Sequence, residues 1–388
     1  MGTVRYCLDV NKVKSFNDIH PYNDAQAVLA LRRCSFHPLA PAISRYIFPK
    51  RPIFYLGNVL RSCKSVKDFQ MRVMCPAVKQ CLIRTSDGFE VSGLENIDRS
   101  RRHLFVSNHR DIVVDPALTQ YALLTNGFDS TDICVGSNLL SSRLIEDIMR
   151  SNRMIEVYRN LPAHERYMAA EQLSAYVRRV VTTGESDVWI AQRQGRAKDS
   201  RDLTSQSVLK MFSMSGKKNF VDDFEDLSIV PISISYEYES CDINRAREIY
   251  IARRQKYVKS TFEDLNSMKT GIFQHKGKIH LTFCKPVTRE ELEKCSEQNG
   301  NNAFKALCKV IDEKIAEGYH PFPTNYMAVD LLRNTHDFEV QYKGNTFGNF
   351  SLYIDKQVAK VKDEIVGNKD ELKDILLKIY ANPVLDRL

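Results

Sequence analysis

The chain has 388 residues, 43% hydrophobic and 27% charged, the balance of a folded protein rather than a disordered one. At roughly 150 residues per domain there is room for two or three domains. Lys and Arg outnumber Asp and Glu by 56 to 48, a net charge of +8, which favours anionic partners such as phosphate groups, lipid headgroups, nucleic acid or an acidic carrier without choosing among them.

In chain order, residues 1–17 hold Arg5, Asp9, Lys12 and Lys14 and no apolar block, so they do not read as a secretory signal. No later run approaches the roughly 18 apolar residues of a spanning helix. Up to residue 80, Pro21, Pro38, Pro41, Pro49, Pro52 and Pro76 punctuate short apolar segments, which predicts a mostly helical N-terminal region, 1–80. Cys81–Arg84 and Phe89–Val91 flank Ser86-Asp87-Gly88 and read as a hairpin. Leu104–Val106 is expected as a strand, Val113–Leu124 as a helix, Ile133–Gly136 as a strand, Leu139–Met149 as a helix and Met154–Tyr158 as a strand. A helix over Ala169–Val181, strands over Asp187–Ala191 and Ile229–Tyr238, and a strand over Lys278–Phe283 follow. Pro231 points to a strand start or a sheet edge. This alternation predicts an α/β domain over 81–290, a mixed sheet flanked by helices. Residues 291–388 carry helical patterns and almost no strand signal, a helical C-terminal region. The ten cysteines form no CxxC pair and have no His pair at zinc spacing, so reduced thiols and no metal site are expected.

Chemistry concentrates where apolar strands run into polar loops. The first such loop is Ser107-Asn108-His109-Arg110-Asp111-Ile112-Val113-Val114-Asp115. A His there takes a proton near neutral pH, and an Asp on its other ring nitrogen fixes the tautomer. Such a dyad activates a hydroxyl or amine nucleophile, although Asp111 reads equally well as a helix N-cap. The second is Arg193-Gln194-Gly195-Arg196-Ala197-Lys198, directly after the strand ending at Ala191. Arg supplies a bidentate fork and Lys a point charge for phosphate, while Gly195 admits close backbone approach. A merely solvated loop is the plain alternative, but ligands of α/β sheets sit beyond the carboxyl ends of strands. Arg159 stands in the same position after Tyr158.

These pieces in order resemble the glycerolipid acyltransferase superfamily, the glycerol-3-phosphate and 1-acyl-glycerol-3-phosphate acyltransferases. Its four blocks are matched by Asn108-His109 with Asp115, by Ile155–Arg159, by Gln194-Gly195-Arg196-Ala197-Lys198 and by Val230-Pro231-Ile232. The Asn-His-Arg-Asp-Ile-Val and Gln-Arg-x-Gly-Arg-Ala-Lys-Asp segments are similar to a bacterial, soluble-looking subgroup, as are Tyr319-His320 and Ile379–Pro383. The likeness spans about 80–290 and, more loosely, the tail. Two departures stand out. The usual Asp lies five positions after the His, where this chain has Val114; of its two acids Asp115 is favoured, with one extra residue in the turn, while Asp111 needs a tighter one. Gln194 replaces the usual Glu, which removes a charge and adds donors.

The resemblance implies an acyltransferase of phospholipid biosynthesis. His109 is the base that deprotonates an acceptor hydroxyl, Asp115 or Asp111 supports it, and Asn108, Arg159, Arg193, Gln194, Gly195, Arg196 and Lys198 bind substrate. The donor is acyl-CoA or acyl-carrier protein, with no further cofactor, and the acceptor is glycerol-3-phosphate or lysophosphatidic acid. An acceptor without phosphate, such as an amino-lipid, and a catalytically impaired binding protein are the alternatives that Gln194 and the shifted Asp keep open. A cytoplasmic protein, peripheral on the inner face of the cell membrane, is expected. Nucleic acid is not, because the cations are not interleaved with aromatics.

Overall fold

A computed structural model describes residues 19–140, 142–159, 161–260, 262–363 and 365–385. The reading of residues 1–17 as no secretory signal lies outside the described residues. Seven strands are β1 (Gly88–Ser92), β2 (Leu104–Ser107), β3 (Asp132–Gly136), β4 (Met154–Val157), β5 (Val188–Ala191), β6 (Ile229–Tyr236) and β7 (Lys278–Phe283). They form one sheet in the order β1-β7-β6-β2-β5-β3-β4. The β6, β2, β5, β3 and β4 strands run parallel, β7 runs antiparallel to β6, and β1 runs parallel to β7. Five strands therefore end at one edge of the sheet, each delivering a loop there. The fold is the mixed α/β class that the strand–helix alternation implies.

The period-two alternation of the strands sorts their side chains between two apolar layers. Leu104, Val106, Val188 and Ile190 face the helices Ala163–Thr182, Gln206–Ser213 and Asn301–Gly318, meeting Val177, Phe212 and Ile311. Phe105, Trp189, Val230 and Ile232 face the helix Val114–Thr125, meeting Leu118 and Ala122. Both faces are covered, so the central strands read as nearly continuous apolar runs.

The expected hairpin at 81–91 does not form. Cys81–Arg84 is the end of a helix, Cys75–Thr85, with Pro76 in its first turn. The Thr85 hydroxyl donates to the Cys81 carbonyl and the Ser86 hydroxyl to the Leu82 carbonyl, each at 2.8 Å, satisfying the helix end. β1 instead pairs with distant β7, Val91 opposite Leu281. A four-residue apolar run has too few residues to tell a buried strand from a helical turn. The expected helix at 139–149 starts later, at Arg143, where Ser142 caps it. Pro231 lies near the start of β6, which is central rather than an edge strand. Its carbonyl accepts from Cys284 N at 2.9 Å just beyond the first β6–β7 pair, so its missing N–H falls outside the ladder.

The helices Asp24–Ser35, Ala40–Ile47 and Tyr55–Ser62 pack around Leu31, Ile47, Leu56 and Phe69. The helices Pro323–Arg333, Gly344–Ala359 and Lys369–Leu385 pack with Tyr250 around Ile354, Leu376 and Tyr380. The last helix is tied to the loop after β5, where Asn382 Nδ2 donates to the Asp199 carbonyl at 2.7 Å. Among the described residues no helix is long and apolar enough to cross a membrane.

Candidate active site

β2 ends at Ser107 and hands His109 to the loop before the helix Val114–Thr125. His109 Nδ1 lies 3.0 Å from Asp115 Oδ2. Because a carboxylate oxygen accepts, the ring proton sits on Nδ1, and Nε2 keeps its lone pair. The same Oδ2 accepts the backbone N–H groups of Arg110 at 2.6 Å and Asp111 at 2.8 Å. Oδ1 accepts the Tyr236 hydroxyl at 2.6 Å. The loop is thus wrapped around the Asp115 carboxylate, and this turn accommodates the six-residue spacing. Burial, with the charges of Asp115 and Asp111, pushes the Tyr236 hydroxyl well above its ordinary range, so it stays a donor. Trp189 packs edge-on against the His109 ring, 5.9 Å between centroids.

Two expected site residues have other work. Asp111 does not touch His109. Its Oδ1 accepts the backbone N–H groups of Val113 and Val114, each at 2.8 Å, as a cap for the helix start, and its Oδ2 accepts the Ser240 hydroxyl. Asn108, expected to bind substrate, is fully buried. Its amide donates to the Ile234 carbonyl and to Asp202, both at 3.0 Å, and accepts Ile234 N at 2.8 Å. Both donor hydrogens are spent on locking β2 to β6 and to the 199–202 loop, so Asn108 has no donor left for a ligand.

A buried ionic network next to the dyad was not foreseen. Arg110, fully buried, donates to Asp202 at 2.6 Å and 3.2 Å and to Glu239. Arg245, also buried, donates to the other Glu239 oxygen at 2.9 Å and to the Ala197 carbonyl at 3.2 Å. Burial opposes the Arg110 charge, but Asp202 and Glu239 outweigh it and hold its pKa well above the ordinary value. Arg110 stood inside the motif at 107–115. Glu239 and Arg245 follow β6 with no local pattern to mark them.

The remaining candidates gather at the ends of β4 and β5. The loop after β5 folds back over β2 through Gln192 N to the Ser107 carbonyl at 2.8 Å and Ala197 N to the His109 carbonyl at 2.9 Å. Gly195 has φ +75°, a conformation that favours glycine. Arg159, Arg193, Gln194, Gly195, Arg196 and Lys198 all line one open basin of about 940 Å³. Arg159, Arg193 and Gln194 also line a narrower cleft of about 400 Å³, whose walls include Leu161, Leu173, Val208 and Met211. Burial lowers the Arg159 pKa, partly offset by the charge of Asp264. Arg196 donates to the Ser267 hydroxyl at 3.2 Å, and its Nη1 is buried without a partner among the described residues. Lys198 is paired with Glu248 and lies 5.5 Å from the Tyr257 ring centre. The His109 side chain, 13% exposed, lines neither opening. The His109 carbonyl accepts the N–H of Ala197, which stands in sequence between the basin residues Arg196 and Lys198. Among the described residues no group of three or more His, Cys, Asp or Glu side chains is arranged to hold a metal ion.

Residues 88–235 match the Acyltransferase family model. Among solved structures the chain is similar to the crystal structure of the 1-acyl-sn-glycerophosphate (LPA) acyltransferase PlsC from Thermotoga maritima. The likeness has 13% identity and a TM-score of 0.39, and covers 76% of this chain and 95% of that one. No curated protein matches.

Proposed function

From an acyltransferase domain over residues 88–235, we propose that the chain moves a fatty acyl group from a thioester to a hydroxyl of a phosphorylated glycerol acceptor. The observation that carries this reading is the His109–Asp115 pair, 3.0 Å apart, beside an open basin rich in Arg and Lys. His109 Nε2 takes the proton of the acceptor hydroxyl. The oxygen attacks the thioester carbonyl, the C–S bond breaks, and the imidazolium returns its proton to the departing thiolate. Asp115 holds the ring and stabilises the imidazolium. Arg159, Arg196 and Lys198 hold phosphate. The apolar cleft that shares Arg159 and Arg193 with the basin suits the acyl chain. Much of the rate comes from holding two substrates together.

Thioester release, assayed with and without glycerol-3-phosphate or lysophosphatidic acid, tests this reading. His109→Ala is expected to lower turnover by about 10²–10⁴-fold; retained acyl transfer would sink the assignment. Arg196→Ala is expected to raise the acceptor KM much more than the thioester KM, and equal changes would remove Arg196 from the phosphate site. A second reading, an acceptor without phosphate, draws support from Gln194, exposed on the basin rim, and from Lys198, already paired with Glu248. Acceptor-dependent release with an amino-lipid but not with either phosphate acceptor would favour it.

A further inference from the structure

The helix Glu263–Phe273 is built the wrong way round for a surface helix. Its buried residues are small, Ser267 and Gly271. A Cβ at Gly271 would collide with the Asp111 carboxylate. Ser267 receives Arg196 at 3.2 Å through its hydroxyl and the Cys241 thiol at 3.3 Å through its carbonyl. The inner face is therefore cut small to lie against the loops of the site. The outer face carries Phe262, Leu265 and Phe273, which are 70%, 53% and 57% exposed, with exposed Lys269 among them. Their spacings of three, four and four place them on one side of the helix. Phe273 also meets Tyr46, 5.5 Å between ring centres, yet more than half of it remains in water. Scattered exposed apolar residues need no explanation, but three large ones aligned on one helix face mark a contact surface.

Charge identifies what covers it. The two acids of this helix are already engaged: Glu263 accepts the Tyr257 hydroxyl at 2.6 Å, and Asp264 accepts Asn138 at 2.9 Å and pairs with Lys259. The exposed side thus presents apolar side chains around Lys269, with no unengaged carboxylate of its own. An apolar face with a cationic rim suits an apolar interior beneath an anionic layer. The preceding segment is continuous with the site, since Arg253, Tyr257 and Lys259 line the basin. We infer that Glu263–Phe273 is the helix by which this protein seats on an anionic lipid bilayer, with headgroups at the basin rim. This rests on the lipid-acyltransferase reading for its purpose, but the contact itself is measurable without catalysis.

The test is sedimentation of the full chain with phosphatidylcholine vesicles, with and without phosphatidylglycerol. Wild-type chain is expected to sediment with the anionic vesicles. Leu265→Ser with Phe273→Ser is expected to lower partitioning roughly tenfold for each side chain removed. Lys269→Glu should weaken binding to anionic vesicles alone. Circular dichroism should be unchanged in each variant, because Leu265 and Phe273 are more than half exposed and Lys269 is exposed, and the thermal midpoint should fall only by the small cost of the Tyr46–Phe273 contact. The inference is overturned if wild-type chain ignores both vesicles, or if the double variant sediments like wild type. It is also overturned if Phe36→Ser with Phe54→Ser, on the exposed N-terminal loops, abolishes binding while the double variant does not. Loss of self-association rather than of vesicle binding would assign the face to a second copy and overturn it as well. His109→Ala must still bind vesicles, so failure of the catalytic reading and failure of this one are separable.

Discussion

Asp115 accepts four donors, and three of them converge on one oxygen. The fourth, the Tyr236 hydroxyl at 2.6 Å, is the only one of them from another strand, so it decides how the carboxylate plane turns toward His109. A buried hydrogen bond to a charged group contributes about 1.5–3 kcal/mol. If half of that is felt in the transition state, Tyr236→Phe lowers kcat about tenfold and leaves both KM values nearly unchanged. Unaltered kcat in steady-state assays would show that the backbone donors hold Asp115 unaided. A different residue carries a pH effect on stability. Asp312, packed under the loop after β5, accepts Thr204 N at 2.7 Å, and burial raises its pKa to about 6. The folded state therefore holds this proton more tightly than the unfolded chain does. Its contribution is present below the unfolded value near 4, is lost as pH rises through about 6, and is flat above. Asp312→Asn keeps the accepting oxygen and removes the ionisation. It is expected to raise stability at neutral pH by on the order of 1 kcal/mol, with the gain vanishing below about pH 4 in thermal melts across pH. A gain independent of pH would trace to packing instead.

Elements in this molecule are placed by what their small and polar residues touch. Replacing a helical Gly by Ala ordinarily gains about 1 kcal/mol in helix propensity. At Gly271 the added methyl meets the Asp111 carboxylate, itself fixed by Val113 N and Val114 N. Overpacking costs about 1–3 kcal/mol, so the clash outweighs the propensity. Gly271→Ala is expected to lower the thermal midpoint and kcat together, because the Asp111 cap also seats the turn that carries His109. A raised midpoint would mean that the helix lifts freely. The same dependence on contact explains what was legible in sequence. Leu104–Val106 was readable as a short apolar run entering a polar loop, and Lys278–Phe283 by its strict polar–apolar alternation between Gly277 and Pro286. His109 and Arg193 drew notice in the sequence because each stands two residues beyond a strand end, whereas Asp115 sits in the first turn of the following helix. Asn108 entered the candidate site through the family resemblance, and its side-chain partners come from β6 and Asp202, distant in sequence. Glu239 and Arg245 were invisible for a related reason. Glu239 pairs with Arg110, more than a hundred residues earlier, and Arg245 pairs with Glu239 in turn, and neither buried ion pair leaves a period in the sequence.

At the scale of the whole molecule the question is where the charge surplus sits. Eight cations and two acids line the basin, an excess of positive charge around one concavity. Some of these charges are already answered: Lys198 by Glu248, Lys259 by Asp264, Arg253 by Glu371. Arg193 and Lys378 make no ion pair among the described residues. One phosphate monoester carries about two negative charges, fewer than the basin offers. A concave cluster of one sign focuses its field and raises the local concentration of a polyanion, an effect that salt screens over roughly 10 Å at 0.1 M. On the proposed function, a CoA thioester used as donor, which bears several phosphate charges, is expected to show a KM that rises about 3–10-fold between 0.05 and 0.2 M salt, with kcat unchanged. Lys378 stands on the helix Lys369–Leu385, far in sequence from residues 88–235, which match the Acyltransferase family model, yet it lines the same basin. Lys378→Glu is expected to raise that KM at low salt and to flatten its salt dependence. A salt-insensitive KM, or a variant with the wild-type slope, would mean that the C-terminal helix walls the basin without taking part in binding.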